Sequence, residues 1–574
     1  MIKDNKENIS SVVVKKIIFN NGTEVELNRD DIVLFVGANN VGKSRILKDI
    51  KEELYNMDMD TAKVMVSAVE FDANNFSEES MREYFANNYS SNGGDKSVYG
   101  IPIEGNHHEI YHNSDFTCIC DDKYKYKFYK VFGTLLSTEN RLAITQPIIT
   151  NQSNDSDCKK IMKKLKEDRE SIHLINEVLL SVFQKAIDVY DEFDSKIYKI
   201  GSKEEIEDTI NSSTREALDK LKKLEDLHNQ GDGIRGVVAI LSSLIVDSYS
   251  LYLIDEPELF LHPPQARVLG KNIANLSEKK QCFISTHNID FIRGILEGDF
   301  SRVKIIKIDR MDNINEFNLI DTESIVKIAN DRNLKYTNVL NGFFYKQLVL
   351  CENETDCKFY SAILESLDIN VYQNTLFCGV GGKSQFQKII PVLKSLSIKY
   401  LVIADIDLIN DIKDLQNLLN AIENENYRKI SETHNDFLNT YKQKVNLEEK
   451  TREDIYQEIS KILINGEAKY LSKDERNKIK SILGNSNSLS ALKEEGKKSI
   501  PSEGNCIENF DTINNFLKKN NIFILECGEV ESFIRKVKKH GEGWLKEVFE
   551  NYPDMNNSIY NEAKSFVKNV FSIK

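Results

Sequence analysis

The chain lacks the features that mark secreted, zinc-binding and membrane-spanning proteins. Its nine cysteines form no repeated C-x-x-C pair, which argues against zinc, and the odd count fits reduced intracellular thiols. Residues 1–11 are polar rather than an apolar signal core. The apolar stretch 237–246 is too short to span a bilayer and is interrupted by serine. We therefore expect a cytoplasmic protein with no membrane contact.

Proline and net positive charge are also scarce. Only eight prolines occur in 574 residues and no internal repeat is evident, so domain limits must come from the order of motifs. The formal charge of −14 excludes a generally basic nucleic-acid-binding surface but allows local basic patches or bound cations. With 40% hydrophobic residues, the chain is long enough for two main domains with well-buried cores.

A glycine-rich segment near the start has the spacing of a phosphate-binding loop. The apolar residues 32–36 predict a buried strand, and a helix is expected from Arg45. Between them, residues 37–44 satisfy G-x-x-x-x-G-K-[ST], in which backbone N–H groups cradle phosphates. A chance glycine turn is the competing interpretation. The predicted ATP contacts are Gly37, Asn39, Asn40, Gly42, Lys43, which reaches the terminal phosphates, and Ser44, which binds Mg²⁺.

Two later strand ends supply the groups that phosphoryl transfer needs. The apolar run 251–254 leads into Asp255 and Glu256, predicted to hold Mg²⁺ through water and to polarise the attacking water, respectively. An acidic turn without catalytic function is the alternative. A further strand, 281–285, precedes His287, which is placed to sense the γ-phosphate, although a lone histidine is usually structural.

Taken in order, residues 37–44, Leu-Ile-Asp-Glu-Pro-Glu-Leu-Phe-Leu-His-Pro at 253–263 and Ser-Thr-His-Asn at 285–288 resemble an ABC-type ATPase of the SMC/RecF-like group. The resemblance implies that ATP is bound between two heads, each donating a signature loop. Residues 231–236, Gly-Asp-Gly-Ile-Arg-Gly, occupy that position but depart from the usual Ser-Gly-Gly-Gln. Arg141 is a further candidate for the ATP site, with a surface arginine equally expected.

An inserted helical arm is expected over about 155–230, within an ATPase domain that covers 1–345. The segment is rich in lysine and glutamate, and apolar residues recur at helical spacing. We expect this apolar stripe to mediate dimerisation and the lysine run 159–166 to be a solvated helix face, with a DNA-facing lever as the alternative. The stripe comprises Ile161, Leu165, Ile172, Leu179 and Val182.

The second half of the chain, 346–574, presents carboxylates at strand ends. The apolar strand 347–351 ends at Glu352, and the strand 400–404 ends at Asp405-Ile-Asp407. Strand periodicity places Asp405 and Asp407 on one side, where paired carboxylates repel unless a cation joins them. A glycine-rich turn lies between the two strands at 379–383.

Residues 352–356, 379–383 and 405–407 resemble a Toprim domain, although Asn353 replaces the glycine usual after the glutamate. The resemblance implies hydrolysis of DNA with Mg²⁺ or Mn²⁺, and hard divalent ions do prefer oxygen ligands. It implies the catalytic residues Glu352, Asp405 and Asp407 and the metal ligands Glu352, Asp356, Asp405 and Asp407.

One more acidic ligand is expected downstream, after the strand 522–525. We predict Glu531, with Glu529 as its competitor, while acids that merely begin a helix are the alternative. The lysines that follow contact phosphate or solvate the same helix: Lys536, Lys538 and Lys539. The intervening segment, about 411–520, is predicted to be a helical insertion without catalytic residues.

An ATPase head followed by Toprim resembles the OLD (overcoming lysogenization defect) family of ATP-dependent endonucleases, which includes the antiphage nucleases of Gabija systems and retron-associated relatives. The implied fold is α/β: an ABC-type P-loop head with an inserted helical arm, followed by a Toprim α/β domain with a helical insertion. The implied protein is an ATP-regulated, divalent-metal-dependent DNA endonuclease of antiphage defence that acts as a homodimer or higher oligomer. Its partner would be a helicase-like protein or a reverse transcriptase with its DNA–RNA hybrid, and both stay open.

Two other classes of protein fit parts of the sequence. An ATP-switched, DNA-sensing scaffold with an inert Toprim site is the main alternative, and the intact Asp405 and Asp407 count against it. A topoisomerase needs a tyrosine-bearing cleavage domain, and none of the 23 tyrosines has a distinctive context.

Overall fold

The structure is a computed structural model, and the chain divides into two compact units, Met1–Ala329 and Asn330–Lys574. The residues that it describes are 10–55, 64–89, 98–103, 107–119, 122–149, 157–192, 195–210, 214–246, 249–311, 314–321, 323–324, 326, 330, 338–422, 427–444, 452–464, 470–484, 490–502 and 504–573.

Strands and helices alternate through most of the first unit. Its strands are β1 (Ser11–Phe19), β2 (Glu24–Glu26), β3 (Ile32–Val36), β4 (Val66–Asn74), β5 (Val98–Ile103), β6 (His107–His112), β7 (Gly133–Leu136), β8 (Ile148–Ile149), β9 (Ala186–Glu192), β10 (Ser195–Gly201), β11 (Glu225–Asp226), β12 (Leu251–Asp255), β13 (Gln281–Thr286), β14 (Val303–Met311) and β15 (Ile314–Ile320). Its helices are α1 (Lys43–Tyr55), α2 (Glu78–Asn88), α3 (Asn113–Thr117), α4 (Asp122–Lys125), α5 (Thr138–Ile144), α6 (Asp157–Glu167), α7 (Arg169–Phe183), α8 (Lys203–Ile210), α9 (Arg215–Lys223), α10 (Asp232–Val246), α11 (Pro263–Leu276) and α12 (Ile289–Leu296).

A six-stranded sheet in the order β15-β14-β3-β13-β12-β7 forms the centre of this unit. All its neighbouring strands are parallel except the β14–β15 pair. Strand β3 is buried along its whole length, as its continuous apolar run predicts. Because parallel strands end at the same edge, β3, β12 and β13 bring the phosphate-binding loop, Asp255 and His287 together. A second sheet, β2-β1-β4, is antiparallel.

The inserted arm differs from its predicted helical form. Helices α6 to α9 are present, but β9, β10 and β11 lie among them, and β10 pairs with β8, β9 and β11. The physical reason is local: β9 and β10 carry β-branched and aromatic residues that favour strands, among them Ile187, Val189 and Tyr198. The many lysines and glutamates of the flanking helices favoured a helical prediction for the whole segment, so the strand pattern was missed.

The apolar stripe of the arm also corrects a prediction. Ile161, Leu165, Ile172 and Leu179 are fully buried within the chain itself, where α6 and α7 pack against α10 and β9. These four residues of the stripe are therefore covered by the same chain and are not available for dimerisation, whereas Val182 is half-buried. In the lysine run, Lys166 is not simply solvated, because its Nζ donates to Val189 O at 3.0 Å.

The second unit is a smaller α/β fold with a long insertion. Its strands are β16 (Gln347–Cys351), β17 (Thr375–Gly379), β18 (Tyr400–Ala404) and β19 (Ile522–Ile524). Its helices are α13 (Glu354–Leu367), α14 (Ile369–Gln373), α15 (Phe386–Ser395), α16 (Ile412–Ile422), α17 (Tyr427–Lys444), α18 (Arg452–Ile464), α19 (Lys473–Gly484), α20 (Ser490–Glu495), α21 (Cys506–Lys519), α22 (Gly541–Asn551) and α23 (Asn561–Phe571).

The sheet of the second unit has the order β17-β16-β18-β19, and all its strands are parallel. Helices α16 to α21 form the insertion between β18 and β19, so the described part of 411–520 is helical. The sequence-based boundary at 345/346 follows the 3₁₀-helix Asn338–Phe344, which contacts β16 and β17. Among the described residues, no helix is long and apolar enough to cross a membrane.

Candidate nucleotide and metal sites

The phosphate-binding loop connects β3 to α1 through a turn that glycine makes possible. Gly37 has a φ of 154°, and a Cβ there would lie 2.4 Å from Ile308 O. Lys43 is buried, and its Nζ donates to Gly37 O at 3.0 Å and to Ala38 O at 2.9 Å. Burial lowers the pKa of Lys43, while nearby carboxylates oppose that change. The ammonium therefore lies inside the curve of the loop, where a phosphate would bind.

Asp255 connects the loop to the acidic strand end. Ser44 Oγ donates to Asp255 Oδ1 at 2.7 Å, and Ser285 Oγ donates to the same carboxylate oxygen. The two predicted Mg²⁺ contacts, 211 residues apart in sequence, are thus direct neighbours. Ser285 was not among the predicted site residues, although it lies two residues before His287, which was.

Glu256 and His287 form the second pair of this site. His287 Nδ1 lies 3.2 Å from Glu256 Oε1. This hydrogen bond lowers the pKa of Glu256 and raises the pKa of His287. Behind them, buried Glu258 accepts hydrogen bonds from Thr286 Oγ1 at 2.7 Å and from His287 N at 3.1 Å, and burial raises its pKa. Glu258 thus fixes the main chain that carries His287.

Arg141 is a buried residue of this site and not a surface arginine. Its guanidinium donates to Asp255 O at 2.6 Å and to Glu256 O at 3.1 Å. Glu256 has a positive φ of 46°, which is uncommon for a residue with a side chain. Arg141 therefore holds the main-chain turn that carries both acidic residues, and burial lowers its pKa.

An open cleft of about 610 Å³ lies in front of these groups. It is lined by Asn39, Asn40, Gly42, Lys43, Ser44, Arg45, Glu256 and His287, most of them predicted ATP contacts. At the signature position, 231–236, Asp232 begins α10. There, Arg235 donates to Asp232 Oδ1 at 3.0 Å and to Leu142 O at 3.1 Å, which fastens the start of α10 to the end of α5.

In the second unit, three carboxylates converge. Glu352 follows β16 and Asp405 follows β18, while Asp407 lies in the 3₁₀-helix Ile406–Ile409. One oxygen from each lies within 4.8 Å of the others. Burial and the negative charge of the neighbours raise the pKa of Asp405 to about 9 and that of Glu352 to about 7. The cluster therefore cannot carry its full negative charge near neutral pH unless a cation compensates it.

The chemistry of this cluster fits a divalent metal ion. All three donors are carboxylate oxygens, the ligands that Mg²⁺ and Mn²⁺ prefer. Asp407 Oδ1 is buried and accepts no hydrogen bond from the described residues, which leaves it available as a ligand. Asp405 N donates to Glu352 Oε1 at 3.3 Å, so the other Glu352 oxygen remains for a metal.

Lys383, from the glycine-rich turn after β17, supports Asp407. Its Nζ donates to Asp407 O at 2.9 Å and lies 3.4 Å from Asp407 Oδ1. The same turn holds Glu352, whose carbonyl oxygen accepts from Gly381 N at 2.9 Å and from Gly382 N at 3.0 Å. The glycine cluster thus fixes the main chain at two of the three carboxylates.

Asp356 and Glu531 lie beside this cluster without belonging to the three-residue group. Asp356 Oδ2 accepts from Asn353 N at 3.1 Å and so caps α13. Burial, followed by the charge of Glu531, raises the pKa of Asp356 to about 6. Glu531 Oε1 accepts from Gly541 N at 2.8 Å. The competitor Glu529 and Asp407 lie near the same lysine.

That lysine is Lys493, a residue of α20 in the insertion. Its Nζ lies 3.4 Å from Glu529 Oε2 and 3.9 Å from Asp407 Oδ2. The sequence contains no signal for it, because Lys493 is one of many lysines in a lysine- and glutamate-rich segment. Only the fold shows that the insertion returns to the carboxylates.

Matches to known proteins agree with this description. Residues 343–407 match the family described as "Overcoming lysogenization defect protein-like, TOPRIM domain", and residues 141–293 match "AAA domain, putative AbiEii toxin, Type IV TA system". Endonuclease GajA of Bacillus cereus (strain VD045) is 22% identical over 83% of this chain and 90% of its own. Old nuclease of Escherichia phage P2 is 26% identical over 32% of this chain and 34% of its own.

Among solved structures, the SMC head bound to the C-terminal winged-helix domain of ScpA covers 54% of this chain and 99% of its own, at 13% identity and a TM-score of 0.33. An ABC-like ATPase and a Toprim domain in one chain define the class of ATPase–Toprim proteins, which use a nucleotide and divalent metal ions. Within that class, the sequence matches support the OLD family of nucleases, as the resemblance implied.

Proposed function

We propose that this protein is an ATP-regulated, divalent-metal-dependent endonuclease that cuts DNA. The observation that carries the proposal is the convergence of Glu352, Asp405 and Asp407, with pKa values raised to about 7 for Glu352 and about 9 for Asp405. Two relatives named endonuclease and nuclease support the reaction class.

In this proposal, Glu352, Asp405 and Asp407 hold Mg²⁺ or Mn²⁺, and Asp356 and Glu531 are neighbouring acidic ligands. An ion held there would supply an activated water and would stabilise charge on the leaving oxygen. Asp405 and Glu352 release their protons when they become ligands, because ligation requires the ionised form. Lys383 keeps the main chain of Asp407 in place during this change.

The first unit binds ATP in the cleft in front of Lys43. Ser44, and Asp255 through water, would hold the Mg²⁺ of the nucleotide, and Lys43 would contact the terminal phosphates. Glu256 orients the attacking water, and its hydrogen bond with His287 fixes the carboxylate for that task. Since hydrolysis of a phosphodiester bond is already downhill, ATP controls access of DNA to the metal site and does not drive the cut.

The cellular role belongs to the same proposal. The protein acts in the cytoplasm as a dimer or larger assembly, in defence against phage DNA, which is the role that the resemblance to the OLD family implies. A helicase-like protein or a reverse transcriptase with its hybrid is the second component of the system.

The test is cleavage of plasmid and linear DNA by wild type, Asp405→Ala and Lys43→Ala, each with Mg²⁺ or Mn²⁺ and with or without ATP. We expect Asp405→Ala to lose cutting but keep ATP binding, and Lys43→Ala to lose nucleotide control. Asp436→Ala, an exposed aspartate in α17, is the matched control. Undiminished cutting by Asp405→Ala would refute the metal site. ATP and DNA binding without cutting by wild type would favour the scaffold.

A further inference from the structure

The insertion between β18 and β19 contains a short helix, α20, whose end contacts the acidic loop that follows β19. Gly528 has a φ of 118°, and a Cβ on it would lie 2.2 Å from Lys493 O. Gly496 has a φ of 65°, and a Cβ on it would lie 2.3 Å from Glu526 O. Lys497 N donates to Glu526 O at 2.8 Å. This close backbone contact fixes the main chain of Lys493 beside the loop that carries Glu529.

The side chain of Lys493, by contrast, is held loosely. Its ammonium lies 3.4 Å from Glu529 Oε2 and 3.9 Å from Asp407 Oδ2, and its side chain is 45% exposed. Nearby Lys497 makes a much tighter ion pair, with Nζ 2.5 Å from Asp511 Oδ1. Lys383, the other lysine of the site, donates to a main-chain oxygen of Asp407 and thereby has a structural anchor. Both of these Lys493 contacts are to carboxylates.

We propose that the ammonium of Lys493 is a built-in cation that bridges Asp407 and Glu529 when the metal is absent, and that a divalent ion bound by these carboxylates displaces it. This inference rests on the proposed metal role of the cluster and adds Glu529 to it. The fixed main chain and half-exposed side chain permit this exchange, because only the flexible stem must move into solvent. The insertion thus weakens metal binding in the resting protein.

If Lys493 and a divalent ion compete for these carboxylates, removing the lysine charge should change metal affinity in one direction only. A divalent ion must replace the favourable contacts of Lys493 and then tolerate its positive charge nearby. Half-exposed ion pairs of this kind are worth up to about 1 kcal/mol, so removing the charge should tighten metal binding about fivefold. A lysine that merely supported the site would have the opposite effect, since its loss would weaken metal binding.

The test is equilibrium titration of the full-length, nucleotide-free protein with Mn²⁺, followed by calorimetry. Lys493→Met removes the charge and keeps the stem, and Lys493→Arg keeps the charge. Lys498→Met is the matched control, since Lys498 is an exposed lysine of the adjacent 3₁₀-helix Gly496–Ser499. Glu352→Gln identifies the heat that belongs to the carboxylate cluster.

We expect Lys493→Met to bind Mn²⁺ about fivefold more tightly than wild type, and Lys493→Arg and Lys498→Met to stay within about twofold. Melting in EDTA provides a second measurement: Lys493→Met should melt below wild type, and added Mn²⁺ should raise its Tm more than that of wild type. Equal or weaker Mn²⁺ binding by Lys493→Met would overturn the inference. Failure of wild type to bind Mn²⁺ at the cluster would instead refute the proposed nuclease site.

Discussion

The metal-free carboxylate cluster should destabilise the second unit above neutral pH, and Glu352→Gln should remove the part of that effect that comes from ionising Glu352. Glu352 ionises at about 4.5 in the unfolded chain and at about 7 in the folded protein, chiefly because of burial and then the charge of Asp407. The folded state therefore binds its proton more tightly, and stability falls as pH rises from about 4.5 to about 7. At pH 8 the loss of folding stability that comes from ionising Glu352 is fully present.

The size of the effect follows from this shift. A difference of about 7 minus 4.5, or 2.5 pKa units, at 1.36 kcal/mol per unit gives about 3 kcal/mol. For a unit of this size that is a rise in Tm of roughly 6 to 12 °C for Glu352→Gln at pH 8 in EDTA. At pH 5 the same substitution should raise the free energy of unfolding of the second unit by only about 1 kcal/mol. The glutamine Oε1 can still accept the hydrogen bond from Asp405 N.

The assay can be restricted to the second unit, because the chain has one tryptophan. Trp544 in α22 is fully buried, and its ring lies 5.2 Å from that of Phe359 in α13, the helix that follows Glu352. Melting followed by tryptophan fluorescence at pH 5 and pH 8 therefore reports this unit. Glu354→Gln, an exposed glutamate two residues on, is the control. A Tm for Glu352→Gln at or below that of wild type at pH 8 would refute the electrostatic reasoning.

Three further predictions concern the two sites. Divalent-ion affinity should rise up to about tenfold per pH unit between pH 7 and 9, because Asp405, with a pKa of about 9, must lose its proton to bind; pH-independent Mn²⁺ calorimetry would contradict this. Glu256→Gln should keep ATP binding but hydrolyse ATP about 10²- to 10⁴-fold more slowly, and unchanged turnover would remove Glu256 from catalysis. Arg141→Ala should destabilise the first unit by about 3 kcal/mol through loss of its bonds to Asp255 O and Glu256 O, measured as faster hydrogen exchange in β12, with unchanged exchange contradicting it.

The sequence predicts the elements of both sites because each depends on a short segment. Strands were predicted at 32–36, 347–351 and 400–404, and the structure has β3, β16 and β18 with those bounds. Their continuous apolar runs are typical of buried parallel strands, and the order of strand ends fixes which polar residues meet at an edge. The convergence of Glu352 with Asp405 and Asp407 follows from that rule.

Contacts made by distant segments were beyond such reasoning. Nothing next to Lys493 in sequence distinguishes it from its many neighbouring lysines, and nothing local determines whether Arg141 faces solvent or the main chain of Asp255. The inserted arm also shows that local sequence does not reveal which distant segment covers a residue. Its apolar stripe at helical spacing predicts a contact surface, but a helix cannot reveal from its own sequence whether its apolar face is covered by the same chain or by another.

The parallel order of β18 and β19 has a consequence for how such sites are recognised. A parallel neighbour always requires a crossover, and here α16 to α21 fill it. The entropy of closing a loop grows only with the logarithm of its length, so doubling this crossover would cost about 0.6 kcal/mol. Insertions or deletions in this crossover can therefore change the number of residues between Asp407 and Glu529 at little cost in stability, while both carboxylates stay near Lys493. Searches that require a fixed spacing would overlook the acidic residues that follow β19.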